Sequence, residues 1–435
     1  MALPLIAIVG RPNVGKSTLF NCLLGRRRAI VEDTPGVTRD RLIVQARLGD
    51  HTVLLADTGG LGGMDDPLED DIARQAEAAV EAAHLILHVL DAREGLQPGD
   101  EAIAHRLRRA SAPVVTVANK CDGVDPAQIL ADFAPLGVDE ILPISALHGI
   151  STQKLVERLG ALLPAGGGEA VRADLSLAVV GRPNVGKSSL VNVLAGEERM
   201  VVSDLPGTTR DAVDTTFAWQ GKQIRICDTA GLRKKHVTRS GVERYSVLRA
   251  LSAILEAEVT VLMIDATVGC QEQEQKIAAY LAEHHRACVI AINKWDQVAK
   301  STQTHDEWVE EVRSRIPFLS YAPVVTLSVR DHQRIQRLLE SCWAVAEQYR
   351  RRLPTARVNA VIEKAVAAQP PPRVRGKRPR IYYASQTGVA PPTVVLFMNR
   401  PQDLSPTYRR YLLRHLNDGL DLTLTPIHLV LRQRQ

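Results

Sequence analysis

The stretch GRPNVGKST at residues 10–18 constrains the fold of this chain more than any other feature. It follows the apolar residues 5–9 and precedes the amphipathic residues 18–24, which predicts a turn between a strand and a helix. Glycines in such a turn let backbone N–H groups point inward at a phosphate, and the lysine adds positive charge. The following hydroxyl is a ligand for Mg²⁺. We therefore predict a P-loop formed by Gly10, Arg11, Pro12, Asn13, Val14, Gly15, Lys16, Ser17 and Thr18.

The same loop occurs a second time, 171 residues later, where residues 181–189 read GRPNVGKSS. It again lies between an apolar run and a helical one. A single copy has an ordinary glycine-rich turn as its alternative explanation, whereas two copies in the same context leave that alternative little room. The second predicted P-loop consists of Gly181, Arg182, Pro183, Asn184, Val185, Gly186, Lys187, Ser188 and Ser189.

A chain of 435 residues is too long for a single domain with one hydrophobic core. The repeat predicts two similar domains followed by a third. We place the first domain at residues 1–164, a flexible glycine-rich linker at 165–174, the second domain at 175–349 and a basic domain at 350–435. The composition is that of a soluble globular protein, and no apolar stretch is long enough for a membrane helix. Six dispersed cysteines without metal-like spacing indicate buried thiols in a reducing compartment, so we expect a cytoplasmic protein.

A loop and a turn after each P-loop complete the expected phosphate and metal site. PGVTRD and DTGG follow the first P-loop, while PGTTRD and DTAG follow the second with the same 171-residue offset. The aspartate is expected to hold Mg²⁺ through water, and the last glycine N–H to meet a terminal phosphate. The predicted nucleotide-binding turn residues are Asp57, Thr58, Gly59, Gly60, Asp228, Thr229, Ala230 and Gly231. The predicted magnesium ligands are Ser17, Thr38, Asp57, Ser188, Thr209 and Asp228.

Two further motifs predict which nucleotide base each site binds. NKCD follows a strand-like run at residues 119–122, and NKWD repeats it at residues 293–296. A carboxylate accepts from the N1–H and 2-amino groups of guanine, whereas adenine offers neither donor. A Ser-Ala pair and a Ser-Val pair each place a backbone N–H for the guanine oxygen, and the bulk of the valine raises the question of a looser second pocket. The predicted base-site residues are Asn119, Lys120, Asp122, Ser145, Ala146, Asn293, Lys294, Asp296, Ser328 and Val329.

The C-terminal 86 residues form a basic block, with 16 Lys/Arg against four acidic residues, although the whole chain carries only +5. This asymmetry points to a polyanionic partner, with a solvated charged face as the alternative. The pattern of the block predicts an α-β-β-α-β module. Its tyrosines Tyr382, Tyr383 and Tyr408 are either base-stacking residues or part of the core.

Together, the two GRPNVGKS loops, PGxTRD, DTGG/DTAG, NKCD/NKWD and the run EKAVAAQPPPRVRGKR resemble the Der (EngA) family of bacterial tandem GTPases over the whole chain. The resemblance implies two Ras-like, doubly wound α/β P-loop GTPase domains and a C-terminal α+β KH-like domain. It also implies a role in assembly of the large ribosomal subunit, with its precursor particles and ribosomal RNA as partners; we expect a monomer. Gly376, Gly388 and Gly419 do not form the G-x-x-G loop of KH modules, so RNA contact needs another surface.

The expected reaction is in-line attack of water on the γ-phosphoryl group of GTP, giving GDP and phosphate. Leu61 and Leu232 stand where many GTPases have a water-orienting glutamine. The resemblance suggests a potassium ion held by Asn13 and Asn184 as a substitute, while a local turn role for those amides is the alternative. The residues expected to serve catalysis are Lys16, Asn13, Thr38, Gly60, Lys187, Asn184, Thr209 and Gly231.

Three alternatives remain open from the sequence. The chain is also compatible with a non-hydrolysing, GTP-gated RNA-binding scaffold. An RNA-modifying enzyme under GTPase control is disfavoured because no nucleophile, metal cluster or second cofactor motif is recognisable outside the repeats. The glycine-rich linker predicts that the first domain moves with its nucleotide state, with a passive tether as the alternative.

Overall fold

The computed structural model describes residues 3–24, 43–57, 80, 83–138, 140–163, 173–196, 215–227, 250–298, 304–374 and 376–434. Contacts divide the chain into two compact units, Met1–Val171 with Lys234–Leu255 and Arg172–Arg233 with Glu256–Gln435. The linker lies largely, and the leucines after each DxxG turn lie wholly, outside the described residues. So do the predicted site residues Thr38, Thr58, Gly59, Gly60, Thr209, Asp228, Thr229, Ala230 and Gly231.

The first sheet has six strands in the order β2-β3-β1-β4-β5-β6, with β2 antiparallel to β3 and the other neighbours parallel. Strand β4 is buried along its whole length because a parallel sheet is covered by helices on both faces. The strands are β1 (Leu5–Val9), β2 (Ile43–Leu48), β3 (His51–Asp57), β4 (Leu85–Asp91), β5 (Val114–Asn119) and β6 (Ile141–Pro143).

Four helices of the first unit have described bounds: α1 (Lys16–Leu23), α2 (Pro98–Leu107), α3 (Pro126–Phe133) and α4 (Thr152–Leu162). The sequence pattern predicts a helix over residues 101–109, and helix α2 begins three residues earlier, at Pro98. A capping box between Gln97 and Asp100, with a proline at the first turn, fixes that start. Helix α3 was not predicted; it is capped by Asp125, whose side chain accepts from the Ala127 N–H.

The second sheet repeats the first, in the order β8-β9-β7-β10-β11-β12, again with only its first pair antiparallel. The strands are β7 (Leu175–Val180), β8 (Thr215–Trp219), β9 (Lys222–Ile226), β10 (Val259–Asp265), β11 (Ala287–Asn293) and β12 (Val324–Thr326). The helices with described bounds are α5 (Lys187–Gly196), α6 (Glu272–Glu283), α7 (Thr304–Arg315) and α8 (Ile335–Arg350). The equal strand order confirms two doubly wound domains of the same fold.

The C-terminal domain has the predicted α-β-β-α-β order. Its elements are α9 (Thr355–Ala368), β13 (Ile381–Gly388), β14 (Thr393–Met398), α10 (Pro406–Gly419) and β15 (His428–Gln433). Ser405 caps α10 as predicted, because its hydroxyl accepts from the Tyr408 N–H at 3.2 Å. Of the two alternatives for Tyr408, the structure supports the core: the ring is buried, and its hydroxyl donates to the Gln369 carbonyl at 2.6 Å.

Helix α8 connects the second domain to the C-terminal domain. Its residue Tyr349 is part of the second domain's core and donates its hydroxyl to the His285 carbonyl at 3.1 Å. The Leu424 N–H donates to Gln348 on the same helix at 2.8 Å, and the His285 ring stacks on His428 at 4.5 Å. The second and C-terminal domains therefore share polar and packing contacts within one compact unit.

All six cysteines are free, as predicted, but burial is not uniform. Cys22 and Cys121 are half-buried, and the other four are buried. Among the residues that the structure describes, no helix is both long and apolar enough to cross a bilayer.

Candidate nucleotide-binding sites

Both P-loops join the carboxyl end of a central strand to a helix, where α/β sheets bind their ligands. The first glycine of each loop passes close to a neighbouring strand. A Cβ atom at Gly10 would lie 2.4 Å from the Val89 carbonyl oxygen, and one at Gly181 would lie 2.5 Å from that of Met263. Neither position has space for a side chain, so the glycines are required by packing.

The last glycine of each loop has a left-handed backbone, with φ of 94° at Gly15 and 101° at Gly186. A Cβ atom there would meet the side-chain amide of Asn119 or Asn293 at 2.4 or 2.3 Å. Each asparagine is the first residue of a base-site motif. The phosphate loop and the base loop are therefore in direct contact in both domains.

The P-loop lysines fold back onto their own loops. Lys16 Nζ donates to the carbonyls of Gly10 and Arg11 at 2.9 and 2.6 Å, and Lys187 Nζ donates to the equivalent pair at 2.7 Å each. Burial lowers the pKa of Lys16 and brings that of Lys187 to about 8, opposed by the nearby charges of Asp57 and Glu274 respectively. A phosphate at this position would favour the charged form of both lysines.

The first site brings two predicted magnesium ligands together. Ser17 Oγ donates to Asp57 Oδ2 at 2.7 Å, and the Asp57 side chain is buried. A hydroxyl and a carboxylate at this spacing are the oxygen ligands that Mg²⁺ prefers beside phosphates, so the residues fit the ion. In the second site Ser188 has the same place in its loop, and its partner Asp228 lies outside the described residues.

The motif asparagines hold three loops together. Asn119 Nδ2 donates to the Val14 carbonyl at 3.0 Å, and its Oδ1 accepts from the Ala146 N–H at 3.0 Å. Asn293 makes the same two bonds at 2.8 and 3.0 Å, to the Val185 carbonyl and from the Val329 N–H. These two N–H groups were expected to meet guanine directly, so that contact stays a prediction.

The sequence left open whether the bulk of Val329 loosens the second guanine pocket. Its side chain is 3% exposed and belongs to the hydrophobic core of the second domain, just as Ala146 belongs to the core of the first. The added volume of valine is therefore accommodated in the core.

The base-reading carboxylates each accept from a serine at the end of the next strand. Ser145 Oγ donates to Asp122 Oδ1, and Ser328 Oγ donates to Asp296 Oδ1, both at 2.7 Å. The serine hydrogen bond is the largest cause that lowers the pKa of Asp122; slight burial opposes it, and Arg93 adds to it. An ionised carboxylate is the form that can accept two hydrogen bonds from guanine.

Two buried acids that the sequence analysis did not single out position the motif lysines. Lys120 Nζ donates to Asp91 and to the Asn13 carbonyl, and Lys294 Nζ donates to Asp265 at 2.6 Å. Both acids end a fully buried strand, β4 or β10. A carboxylate at the end of an otherwise apolar run was the sequence signal for them. In the second motif Trp295 follows the lysine, buried against the edge of Trp308 at 6.2 Å.

A second missed pair holds each P-loop arginine. Arg11 Nε donates to Asp100 at 2.8 Å, and Arg182 Nε lies 3.0 Å from Glu274; both acids are fully buried. Burial acts to lower the pKa of Arg11, but Asp100 and Glu94 outweigh it and leave the pKa raised. The side chains of both P-loop arginines are thus directed at the first turn of α2 or α6, where they tie the P-loop to a helix. Nucleotide binding by these two residues stays a prediction.

Two P-loops, each joined to its own NKxD motif, define a tandem P-loop GTPase. The chain is 47% identical to GTPase Der of Moorella thermoacetica and 46% identical to GTPase Der of Caldanaerobacter subterraneus, covering 100% of this chain and 99% of each relative. It belongs to the GTPase Der family, and it is a GTP hydrolase that uses GTP, GDP and Mg²⁺.

Two family models match within the chain. "50S ribosome-binding GTPase" matches residues 5–120 and 176–294, and "KH-domain-like of EngA bacterial GTPase enzymes, C-terminal" matches residues 352–432. Among solved structures, Era in complex with MgGDPNP and nucleotides 1506–1542 of 16S ribosomal RNA is 21% identical over 60% of this chain and 92% of its own, with a TM-score of 0.32.

Proposed function

We propose that the protein acts in ribosome biogenesis, in assembly of the large ribosomal subunit, through a nucleotide-dependent rearrangement of its domains. The observation that carries this proposal is the combination of two GTPase domains with a basic KH-like domain, in a chain of the Der family. Membership of this family also favours hydrolysis over the non-hydrolysing scaffold.

For hydrolysis, the residues of this chain bind and orient the substrate. The P-loop N–H groups and Lys16 or Lys187 surround the β- and γ-phosphates and stabilise the charge that develops on them. Asp122 or Asp296 selects the base, and Asn119 or Asn293 couples base binding to the P-loop geometry. Bound Mg²⁺, held through Ser17 and Asp57 at the first site, would supply further neutralisation of the phosphate oxygens.

Potassium is the proposed substitute for the missing glutamine. Asn13 and Asn184 are exposed on the loops with φ of 66° and 64°, so their amides lie at the surface of the phosphate site. We expect potassium to accelerate single-turnover phosphate release relative to sodium at equal ionic strength. Asn13→Gly with Asn184→Gly should abolish the difference, because glycine keeps the left-handed backbone without the amide. An unchanged potassium dependence in that double variant would contradict the proposal.

The C-terminal domain offers an aromatic and basic surface for RNA. The ring of Tyr382 is exposed, and the guanidinium groups of Arg380 and Arg434 lie 5.7 and 5.4 Å from its centroid. The neighbouring Tyr383 is also exposed and stacks on Phe397 at 4.4 Å. Rings and arginines in this arrangement suit the bases and phosphates of single-stranded RNA.

The test is co-sedimentation of the full-length protein with large-subunit precursor particles in GDP and in a non-hydrolysable GTP analogue. Binding should be steeply salt-dependent, because phosphates dominate it. Tyr382→Ala with Tyr383→Ala should weaken it by about 1–3 kcal/mol per base stacked. Tyr408→Phe is the matched control, because that ring is buried. Equal, salt-insensitive sedimentation of all variants in both nucleotides would refute the proposed role.

The rearrangement is supported by two features. Three consecutive glycines in the sequence precede the second domain, whereas α8, which contains no Gly or Pro, ends at Arg350, four residues before Pro354 and the first helix of the C-terminal domain. Pulsed spin-label distances between the first and C-terminal domains should change between the two nucleotides. An unchanged distance distribution in protein with the first site filled would leave the linker as a passive tether.

A further inference from the structure

In both sites an arginine contacts the base-reading carboxylate. Arg93 Nη2 donates to Asp122 Oδ2, and Arg330 Nη2 lies 3.0 Å from Asp296 Oδ2. The other carboxylate oxygen accepts from Ser145 or Ser328. His148 Nε2 also lies 3.7 Å from Asp122 Oδ2, and Arg330 also pairs with Asp331 at 3.0 Å. Each carboxylate therefore has a serine hydroxyl on one oxygen and an arginine beside the other.

The two arginines come from different loops of the repeat. Positions 93 and 267 are equivalent, because each N–H donates at 2.9 Å to the aspartate that ends β4 or β10. The first copy has Arg93 there and the second copy has Thr267.

In the loop after β6 or β12, it is the second copy that has the arginine. Positions 147 and 330 are equivalent, because the N–H of the next residue donates to the serine hydroxyl at 3.4 Å in the first copy and 3.2 Å in the second. Here the first copy has Leu147 and the second has Arg330. The arginine therefore comes from the loop after β4 in the first copy and from the loop after β12 in the second. In both copies it contacts the equivalent base-reading carboxylate.

A guanidinium group presents the same chemistry as the guanine edge. It is a planar carbon bearing N–H donors, and it pairs with both oxygens of a carboxylate much as guanine N1–H and 2-amino groups do. Because the serine already donates to one oxygen, an arginine on the other reduces the acceptor capacity that is left for the two guanine donors.

We propose that Arg93 in the first site and Arg330 in the second are intramolecular competitors of the guanine base, and that they lower the affinity of each site for GDP and GTP alike. The inference rests on the assignment of Asp122 and Asp296 as the base-reading residues. Since the base is common to both nucleotides, the competition changes affinity without changing the preference between them.

The expected size of the effect on nucleotide affinity follows from the solvent exposure of the paired side chains. The Arg93 and Asp122 side chains are 57% and 22% exposed, so the pair is worth about as much as a surface ion pair, a twofold to fivefold effect on affinity. At the second site the Asp296 side chain is 7% exposed, but Arg330 is 69% exposed and also pairs with Asp331, so an effect of similar size is expected there.

The test uses the full-length chain with Asp296→Asn, so that radiolabelled GDP at low concentration reports the first site. Arg93→Thr installs the residue of the second copy and should lower the Kd for GDP twofold to fivefold. Adding Leu147→Arg recreates the arrangement of the second site and should raise the Kd again. The gain from Arg93→Thr should shrink in high salt, because salt screens the competing ion pair.

Arg158→Thr is the matched control. It removes the same charge from the Arg158–Glu140 pair, which lies beside Val114 at the opposite end of β5 from the base site. It should leave the Kd unchanged.

Two outcomes would overturn the proposal: weaker or unchanged GDP binding in Arg93→Thr, or no reversal by Leu147→Arg. Weaker binding would mean that the arginine supports the bound base. Failure of the base-reading assignment would instead appear as unchanged base preference in Asp122→Asn, so the two failures are distinguishable.

Discussion

Asp122→Asn is expected to convert the first site from guanine to xanthine. The carboxylate accepts from two guanine donors, and asparagine offers one acceptor and one N–H donor in the same place. Xanthine carries an oxygen where guanine has its 2-amino group, so it suits the new donor. Because the wrong base leaves buried polar groups unpaired, the preference for GDP over XDP should change by about 10⁴-fold.

The measurement is competition between GDP and XDP at each site. Asp296→Asn should produce the same change at the second site and leave the first unaltered, so each variant is the other's control. Asp125→Asn offers a further control, since this aspartate is three residues away and only caps α3. Retention of guanine selectivity in both variants would show that another group reads the base.

Glu274→Ala is expected to destabilise the second unit by about 3–5 kcal/mol, because it leaves Arg182 charged and partly buried without a partner. Glu274 also accepts from the Gln271 N–H at 3.1 Å, so the start of α6 loses its capping box. The measurement is the denaturant midpoint of the second unit, followed separately from the first.

Glu283→Ala is the matched control for this prediction. It changes an exposed glutamate on the same helix and should cost less than about 0.5 kcal/mol. Arg182→Met combined with Glu274→Ala should recover much of the loss, because no unpaired charge then remains. A midpoint for Glu274→Ala equal to that of Glu283→Ala would mean that the pair adds nothing to stability.

The two sheets and the C-terminal module were predictable because their signals are local. Strand β1 is a continuous apolar run, and β4 is apolar apart from His88 and Asp91. The adjacent pair Ser405 and Pro406 is a typical signal for the start of a helix, here α10. The repeat strengthened these interpretations, because the same order of motifs and elements occurs in both copies. Helix α3 was missed because only eight residues carry its pattern.

Partners of the motif residues were not predictable, because they come from distant parts of the chain. Asp100 lies 89 residues from Arg11, and nothing in the sequence near either residue indicates that the two are in contact. Its burial depends on the packing of α2 against the P-loop. Similarly, the sequence shows Tyr408 beside basic residues, but only the fold shows that the ring lies in the core.

The position of Trp295 within the second base motif has a spectroscopic consequence. All four tryptophans of the chain, Trp219, Trp295, Trp308 and Trp343, belong to the second domain. The first domain and the C-terminal domain have none. Intrinsic fluorescence excited at the indole band is therefore an optical signal of the second GTPase domain alone, with one emitter between Lys294 and Asp296. Nucleotide binding at the second site is therefore expected to change the emission of the unlabelled protein, whereas the first domain contributes no indole signal of its own.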